Sequence, residues 1–366
     1  MKNKVKIILG LILILVIIII GLQFNTEKDT QLTIGTIIPL SGNMAFIGDD
    51  FKKGLDLALI NNPEISLHYE DNKGEVTSAV SAYQKLQSTV KPDVIISAGI
   101  ADLAVIPLAE KDQTPLVLSV SSASGLPAMG ENIFRYFTNA DLDAPVMADY
   151  TVKELGLNKV GILYLQDQFG IDYKNVFTKE ITRLGGQVVA EESFQYTDYD
   201  YRTQISKIKN TDFDSIYLIG LDYQLITAIK QIRELGVDKQ IISIGTIATR
   251  DSIDKTGPSI EGVYVTAFCV DGMPESYVTA FQEKYGNYPG FFSELGYDIG
   301  KMIISASKKG DDRDAIRKGL SAIKNFPTNT GLVSADQYGE MVMPVCVKQI
   351  TGGKIYNTVT GNYSDF

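Results

Sequence analysis

Residues 33–59 read T-I-G-T-I-I-P-L-S-G-N-M-A-F-I-G-D-D-F-K-K-G-L-D-L-A-L. The apolar, β-branched run at 34–38 has the composition of a strand buried on both faces. Pro39, Ser41, Gly42 and Asn43 break it. Gly48 is expected to end the loop, and Asp49 and Asp50 suit the positive end of a helix. Phe51, Leu55, Ala58 and Leu59 then fall at i, i+4, i+7 and i+8, on one apolar face. The stretch predicts strand, exposed loop and helix, the first half of a βαβ unit. In open α/β sheets, ligands collect at loops that leave the carboxyl ends of strands.

The alternation continues. Strands are predicted at 65–70, 93–97 and 116–120, with helices at 77–89 and 103–111. The third and fourth strands exit through S-A-G-I-A-D (97–102) and S-S-A-S-G (121–125). Four strands with helices between them imply a parallel, doubly wound sheet with right-handed crossovers. A helix at 141–155, capped near Asn139 or Asp141, ends at Gly156. The plan then restarts. Strand 159–165 and loop 166–170 lead into a helical face of Tyr173, Phe177, Ile181 and Leu184. Strands at 187–194, 215–220, 240–245 and 263–268 follow, with helices at 201–208 and 223–235. The tail returns to helices at 276–285, 294–307 and 313–323, then strands at 331–334 and 343–350.

A chain of 366 residues exceeds one average domain, so two lobes are expected, and 45% hydrophobic content leaves an ample core. Net charge is −10 with no basic stripe, which argues against nucleic acid. Lys2, Lys4 and Lys6 precede sixteen residues, 7–22, that are apolar or Gly. This run is slightly short of the ~18 residues that usually mark a spanning helix. The basic flank predicts that the amino terminus stays in the cytoplasm and the body lies outside. A cleaved signal peptide is the rival, but the small residues it would want after the apolar run are absent from Leu22-Gln23-Phe24-Asn25. Residues 1–24 are therefore read as a membrane anchor and 25–31 as a tether.

Catalytic chemistry finds no carrier. His68 is the only His, on an alternating strand with Ser66 and Glu70, and has no nucleophile beside it. No G-x-S-x-G elbow, phosphate-binding loop or complete G-x-G-x-x-G occurs, and metal-ligand spacing is absent. No enzyme activity, cofactor or metal is expected. The loops at 97–100 and 121–124 offer hydroxyls and backbone N–H groups suited to a carboxylate or amide oxygen.

P-L-S-G followed by a short loop, Gly48 and a helix containing Gly54 resembles the opening of the type I periplasmic binding proteins, in particular their Leu/Ile/Val-binding branch. L-A-V-I-P-L-A-E-K-D-Q-T-P-L-V-L-S at 103–119, D-Q-F-G at 167–170 and S-A-D-Q-Y-G-E at 334–340 agree with it in order and spacing. The resemblance covers about residues 31–356. It implies two doubly wound Rossmann-like lobes, 32–137 plus 270–343 and 138–269 plus 344–366, joined by three hinge crossovers near Thr138, Phe268 and Met343. It further implies capture of a small ligand outside the cytoplasm for an ABC permease; the alternative is a sensor ectodomain that reports to a signalling partner.

The site residues implied by the resemblance depart from the family's pattern. The carboxylate-gripping loops would be Ser97, Gly99 and Ile100, and Ser121, Ser122 and Ala123. The family's first-loop hydroxyl falls at Gly99 or Ile100, and its second-loop Thr at Ala123. The aromatic before the loop glycine is Ile47, with Phe46 beside it. The second-lobe Tyr is Phe169. The acid that meets an ammonium falls at Ile247, and only Asp222, alternatively a helix cap, can stand in for it. An ammonium buried without a partner costs several kcal/mol, so a less polar ligand is expected. Cys269 and Cys346, the only two cysteines, would lie close together on the second and third crossings, either bonded or as two buried thiols.

Overall fold

The computed structural model describes residues 32–99 and 102–364. The expected anchor, the tether and Ile100 lie outside the described residues. Among the described residues no helix is long and apolar enough to cross a membrane.

The first parallel sheet is built from β1 (Thr33–Ile38), β2 (Ser66–Asp71), β3 (Val94–Ala98), β4 (Leu116–Ser119) and β5 (Ile133–Arg135), in the order β2-β1-β3-β4-β5. Its crossovers are α1 (Ala45–Leu59), α2 (Val76–Thr89) and α3 (Asp102–Lys111). After α4 (Ala140–Lys153) the plan restarts with β6 (Lys159–Leu165), α5 (Gln168–Arg183), β7 (Gln187–Phe194), α6 (Arg202–Lys209), β8 (Ser215–Ile219), α7 (Asp222–Glu234), β9 (Gln240–Ser243), α8 (Arg250–Thr256) and β10 (Tyr264–Phe268). The chain then runs through α9 (Glu275–Tyr285), α10 (Phe291–Ala306), α11 (Arg313–Ser321) and a small antiparallel sheet of β11 (Phe326–Thr328), β12 (Gly331–Ala335) and β13 (Met341–Val342). It ends in β14 (Val345–Thr351), β15 (Lys354–Asn357) and β16 (Tyr363–Ser364), which extend the second sheet beyond β10, each antiparallel to the strand before it in the sheet. The full order of that sheet is β16-β15-β14-β10-β9-β8-β6-β7.

The two sheets carry separate cores. Ile34, Val94 and Val117 pack with Leu295, Ile299, Val333 and Met341 in the first. Val160, Ile216, Ile241 and Val265 pack with Val347 and Ile350 in the second. The chain therefore crosses between cores three times: between Tyr136 and Ala140, between Val265 and Leu295, and between Met343 and Val347. This is an α/β fold of two Rossmann-like lobes.

Helix α1 begins earlier than its acids suggest. Gly48 lies inside the first turn, and Asp49 and Asp50 follow within the helix. A Cβ at Gly48 would come 1.9 Å from the Pro39 carbonyl oxygen, so the glycine lets the helix start against the end of β1. The second lobe repeats the device: a Cβ at Gly170 would meet the Leu165 oxygen at 1.9 Å. Asn139 caps α4, its side chain accepting from the N–H groups of Asp141 at 2.9 Å and Leu142 at 3.3 Å. Cys269 and Cys346 are joined in a disulfide with Cα atoms 5.0 Å apart, where the chain leaves β10 and enters β14.

Candidate functional site

The loops that leave the carboxyl ends of the parallel strands define one rim of the site in each lobe. In the first lobe Asn72 ties three strand ends together. It is fully buried, its amide donates to the Ile37 oxygen at 3.4 Å and the Ala98 oxygen at 3.2 Å, and its Oδ1 accepts from Gly74 N at 2.9 Å. Beside it Ser97 is buried, and Gly99 adopts φ 129° while donating to the Ser119 oxygen at 3.1 Å. Ser121 is largely buried, and Ser122 and Ala123 are half-buried.

The loop at 121–124 is anchored by a residue that the sequence reading passed over. Arg135 is 1% exposed. Its Nη1 donates to the carbonyl oxygens of Ser121 at 3.2 Å and Ala123 at 2.5 Å. Its Nε and Nη2 clasp Glu340, with Nη2 to Oε2 at 2.6 Å. Burial raises the Glu340 carboxyl above its ordinary range, against the pull of Arg135. Asn139 donates to Glu340 Oε1 at 3.4 Å, so the same carboxylate reaches the cap of the first helix of the second lobe. The signal was present in I-F-R-Y-F at 133–137: a charge inside an apolar run needs a buried partner.

Along the crossings runs a row of aromatic rings. Phe291 packs on Phe137 and Phe268, ring centroids 6.2 and 6.0 Å away, and on Phe292 at 5.3 Å. Phe292 meets Phe46 edge-on at 6.1 Å. Phe46 is 65% exposed and Phe291 39%, whereas Ile47, one residue from Phe46, is turned into the core.

On the facing rim, Phe169 is half-buried against Tyr173 at 5.0 Å. Asp167 caps α5 through a bond from Gly170 N at 2.8 Å and accepts from the Tyr196 hydroxyl at 2.5 Å. Asp222 is the first residue of α7 rather than its cap, which is Leu221; its Oδ1 accepts from Tyr223 N at 2.7 Å. Ile247 is fully buried in the short 3-10 turn Gly245–Ile247, whose Thr246 hydroxyl donates to the Gly220 oxygen at 2.9 Å. The two rims meet where Ser124 N donates to Asp172 Oδ2 at 3.2 Å. Thus the structure places Phe46, Ser122, Ala123, Phe169 and Asp222 at accessible positions, and Ser97, Ile47 and Ile247 behind them. Among the described residues no group of three or more His, Cys, Asp or Glu could hold a metal ion.

Residues 31–354 match the family described as periplasmic binding protein. The chain is 23% identical over 337 residues to "Leu/Ile/Val-binding protein homolog 3" of Brucella melitensis, covering 88% of this chain and 91% of the relative. Among solved structures, a leucine binding protein from Thermotoga maritima superposes with TM-score 0.77 at 24% identity, covering 91% of this chain and 97% of the other. An ABC transporter solute binding protein from R. palustris in complex with benzoate superposes with TM-score 0.76 at 21% identity, covering 89% of this chain and 95% of the other. The family match over nearly the whole chain, together with two Rossmann-like lobes and three crossings of the type I fold, places this protein in the periplasmic binding protein family.

Proposed function

We propose that the protein captures a small carboxylate with an apolar body between its lobes, outside the cytoplasm, and hands it to an ABC permease. The lobes are 32–137 plus 270–343 and 138–269 plus 344–366, and the segment at 1–24 tethers them to the membrane. The observation that carries this reading is the meeting of the two rims at Ser124 and Asp172, which brings the 121–124 loop opposite the second lobe. Closure follows when one ligand touches both rims at once.

Two features favour an apolar body. The aromatic row leaves apolar rings exposed at Phe46, just past the carboxyl end of β1, and at Phe291, which packs on Phe137 and Phe268 at the crossings. Ile247 supplies no charge where the resembled proteins carry an acid. The named relatives span both expectations, one named for Leu/Ile/Val and one solved with benzoate.

A thermal-shift screen with L-leucine, L-isoleucine, L-valine and benzoate tests the reading. A ligand at 100 times its dissociation constant adds about 2.7 kcal/mol. Asp222→Asn separates the two ligand classes: an amino acid should lose tenfold or more in affinity, and an aromatic acid should change little. No shift with any of the four probes, or with a wider set of small carboxylates, contradicts the proposal.

A further inference from the structure

The carbonyl oxygens of Ser121 and Ala123 both point at one buried guanidinium. In a trans peptide the C=O and the following N–H point in opposite directions. The N–H groups of Ser122 and Ser124 therefore point away from Arg135. The second of these has a partner that confirms the direction: Asp172 Oδ2, a carboxylate oxygen of the facing lobe, at 3.2 Å. Glu340 neutralises Arg135 from the other side. The loop thus presents oriented peptide dipoles rather than a bare cation, and the guanidinium polarises both peptides. Asp172 is half-buried and held on its own helix by Gln168 Nε2, which donates to Oδ1 at 2.7 Å, while its bond to Ser124 N is exposed. An exposed contact of this kind is weak and exchangeable.

We propose that Arg135 is a positioning residue that aims the N–H groups of Ser122 and Ser124 as a carboxylate receptor, and that Asp172 is an internal carboxylate occupying one of these donors until a ligand displaces it. The idea rests on the cleft function above and adds its anchoring residue and its built-in competitor. Competition lowers apparent affinity by the fraction of molecules in which the donor is free. It also exchanges a direct contact between the lobes for one made through the ligand.

Sodium acetate, the simplest stable carboxylate probe, tests this without the natural ligand. In full-length protein labelled with 15N-serine, the amide resonances of Ser122 and Ser124 are followed during an acetate titration. Asp172→Ala should lower the acetate midpoint at Ser124 threefold or more. Replacing Arg135 and Glu340 together by Met avoids a lone buried charge and should abolish the response at both amides while spectral dispersion is retained. Should that double variant not fold, Arg135→Lys takes its place, since one ammonium cannot hold both carbonyls and clasp Glu340 at the same time as the guanidinium fork does, and its midpoint should rise tenfold. Equal midpoints in wild type and Asp172→Ala, no response in any variant, or a wild-type response without Arg135 overturns the proposal. A positive result here with no hit in the thermal-shift screen keeps the receptor and rejects the ligand class.

Discussion

Reduction of the Cys269–Cys346 bond offers a quantitative test of how the three crossings are held. The two residues are 77 positions apart, and the loop they close contains α9, α10, α11 and the β11-β12-β13 sheet. In the chain-entropy model, closing a loop of that length removes about 15 cal/mol/K from the unfolded ensemble, or about 4.5 kcal/mol at 25 °C. The folded side of the balance should change little. The ladder beside the bond survives without it: Ala267 pairs with Cys346, Phe268 with Val345, and Cys269 N donates to the Pro344 oxygen at 3.0 Å. Asn357 also donates to the Cys269 oxygen at 3.2 Å and to Asp271 Oδ1 at 2.7 Å, and Lys348 donates to the Val270 oxygen at 2.6 Å. These bonds keep the second and third crossings side by side when the sulfurs part. Urea unfolding of the oxidised protein and of the same protein in a phosphine reductant, followed by circular dichroism, gives the difference directly. The expected loss is 3–5 kcal/mol with unchanged ligand affinity. A loss below about 1 kcal/mol would refute the unfolded-state argument. A reduced protein that stays folded but binds ligand differently would show that the bond sets the hinge itself.

Burial pushes the Asp298 carboxyl up to about 7, although Tyr136 OH and Asn329 N donate to it. The folded state then keeps a proton that the unfolded chain releases near pH 4. That stabilising contribution is complete below about pH 4 and is lost as pH rises through about 7, with a slope of up to about 1.4 kcal/mol per pH unit. Asp298→Asn should flatten the stability profile between pH 4 and 7, and an unchanged profile in chemical denaturation contradicts the assignment. Gly170→Ala forces a Cβ to within 1.9 Å of the Leu165 oxygen and should cost about 1–3 kcal/mol in thermal unfolding. An unchanged melting temperature would mean that the start of α5 is free to shift.

The βα alternation was legible because each long element carries its own period. The inward face Phe51, Leu55, Ala58 and Leu59 is buried along α1, and the strand at 34–38 is buried throughout. Boundaries were harder. At the start of α1 the sequence offers acids at Asp49 and Asp50, while the structure starts the helix at Ala45. What decides is the space beside Pro39, which only Gly48 fills without a clash. The short strands β5, β11, β13, β15 and β16 have two to four residues each, too few to show a period.

The site was legible as loops but not as a wired unit. Residues 121–124 announce themselves by small polar residues after a strand. Their anchor, Arg135, and its counter-ion, Glu340, are 205 positions apart, and no local pattern links them. The aromatic row likewise joins Phe46, Phe137, Phe268, Phe291 and Phe292 from four separate stretches of chain. Long-range pairs of this kind emerge only when the second crossing returns the chain to the first lobe.

The central claim is that ligand bridges the rims and closes the lobes. Small-angle X-ray scattering on the protein, with and without saturating amounts of the probe that gives the largest thermal shift, measures this most directly. The account predicts a smaller radius of gyration in the bound state, reversed on dialysis, and no such change with the corresponding amide that lacks the carboxylate. Binding that leaves the scattering profile unchanged, or equal closure by acid and amide, would contradict it.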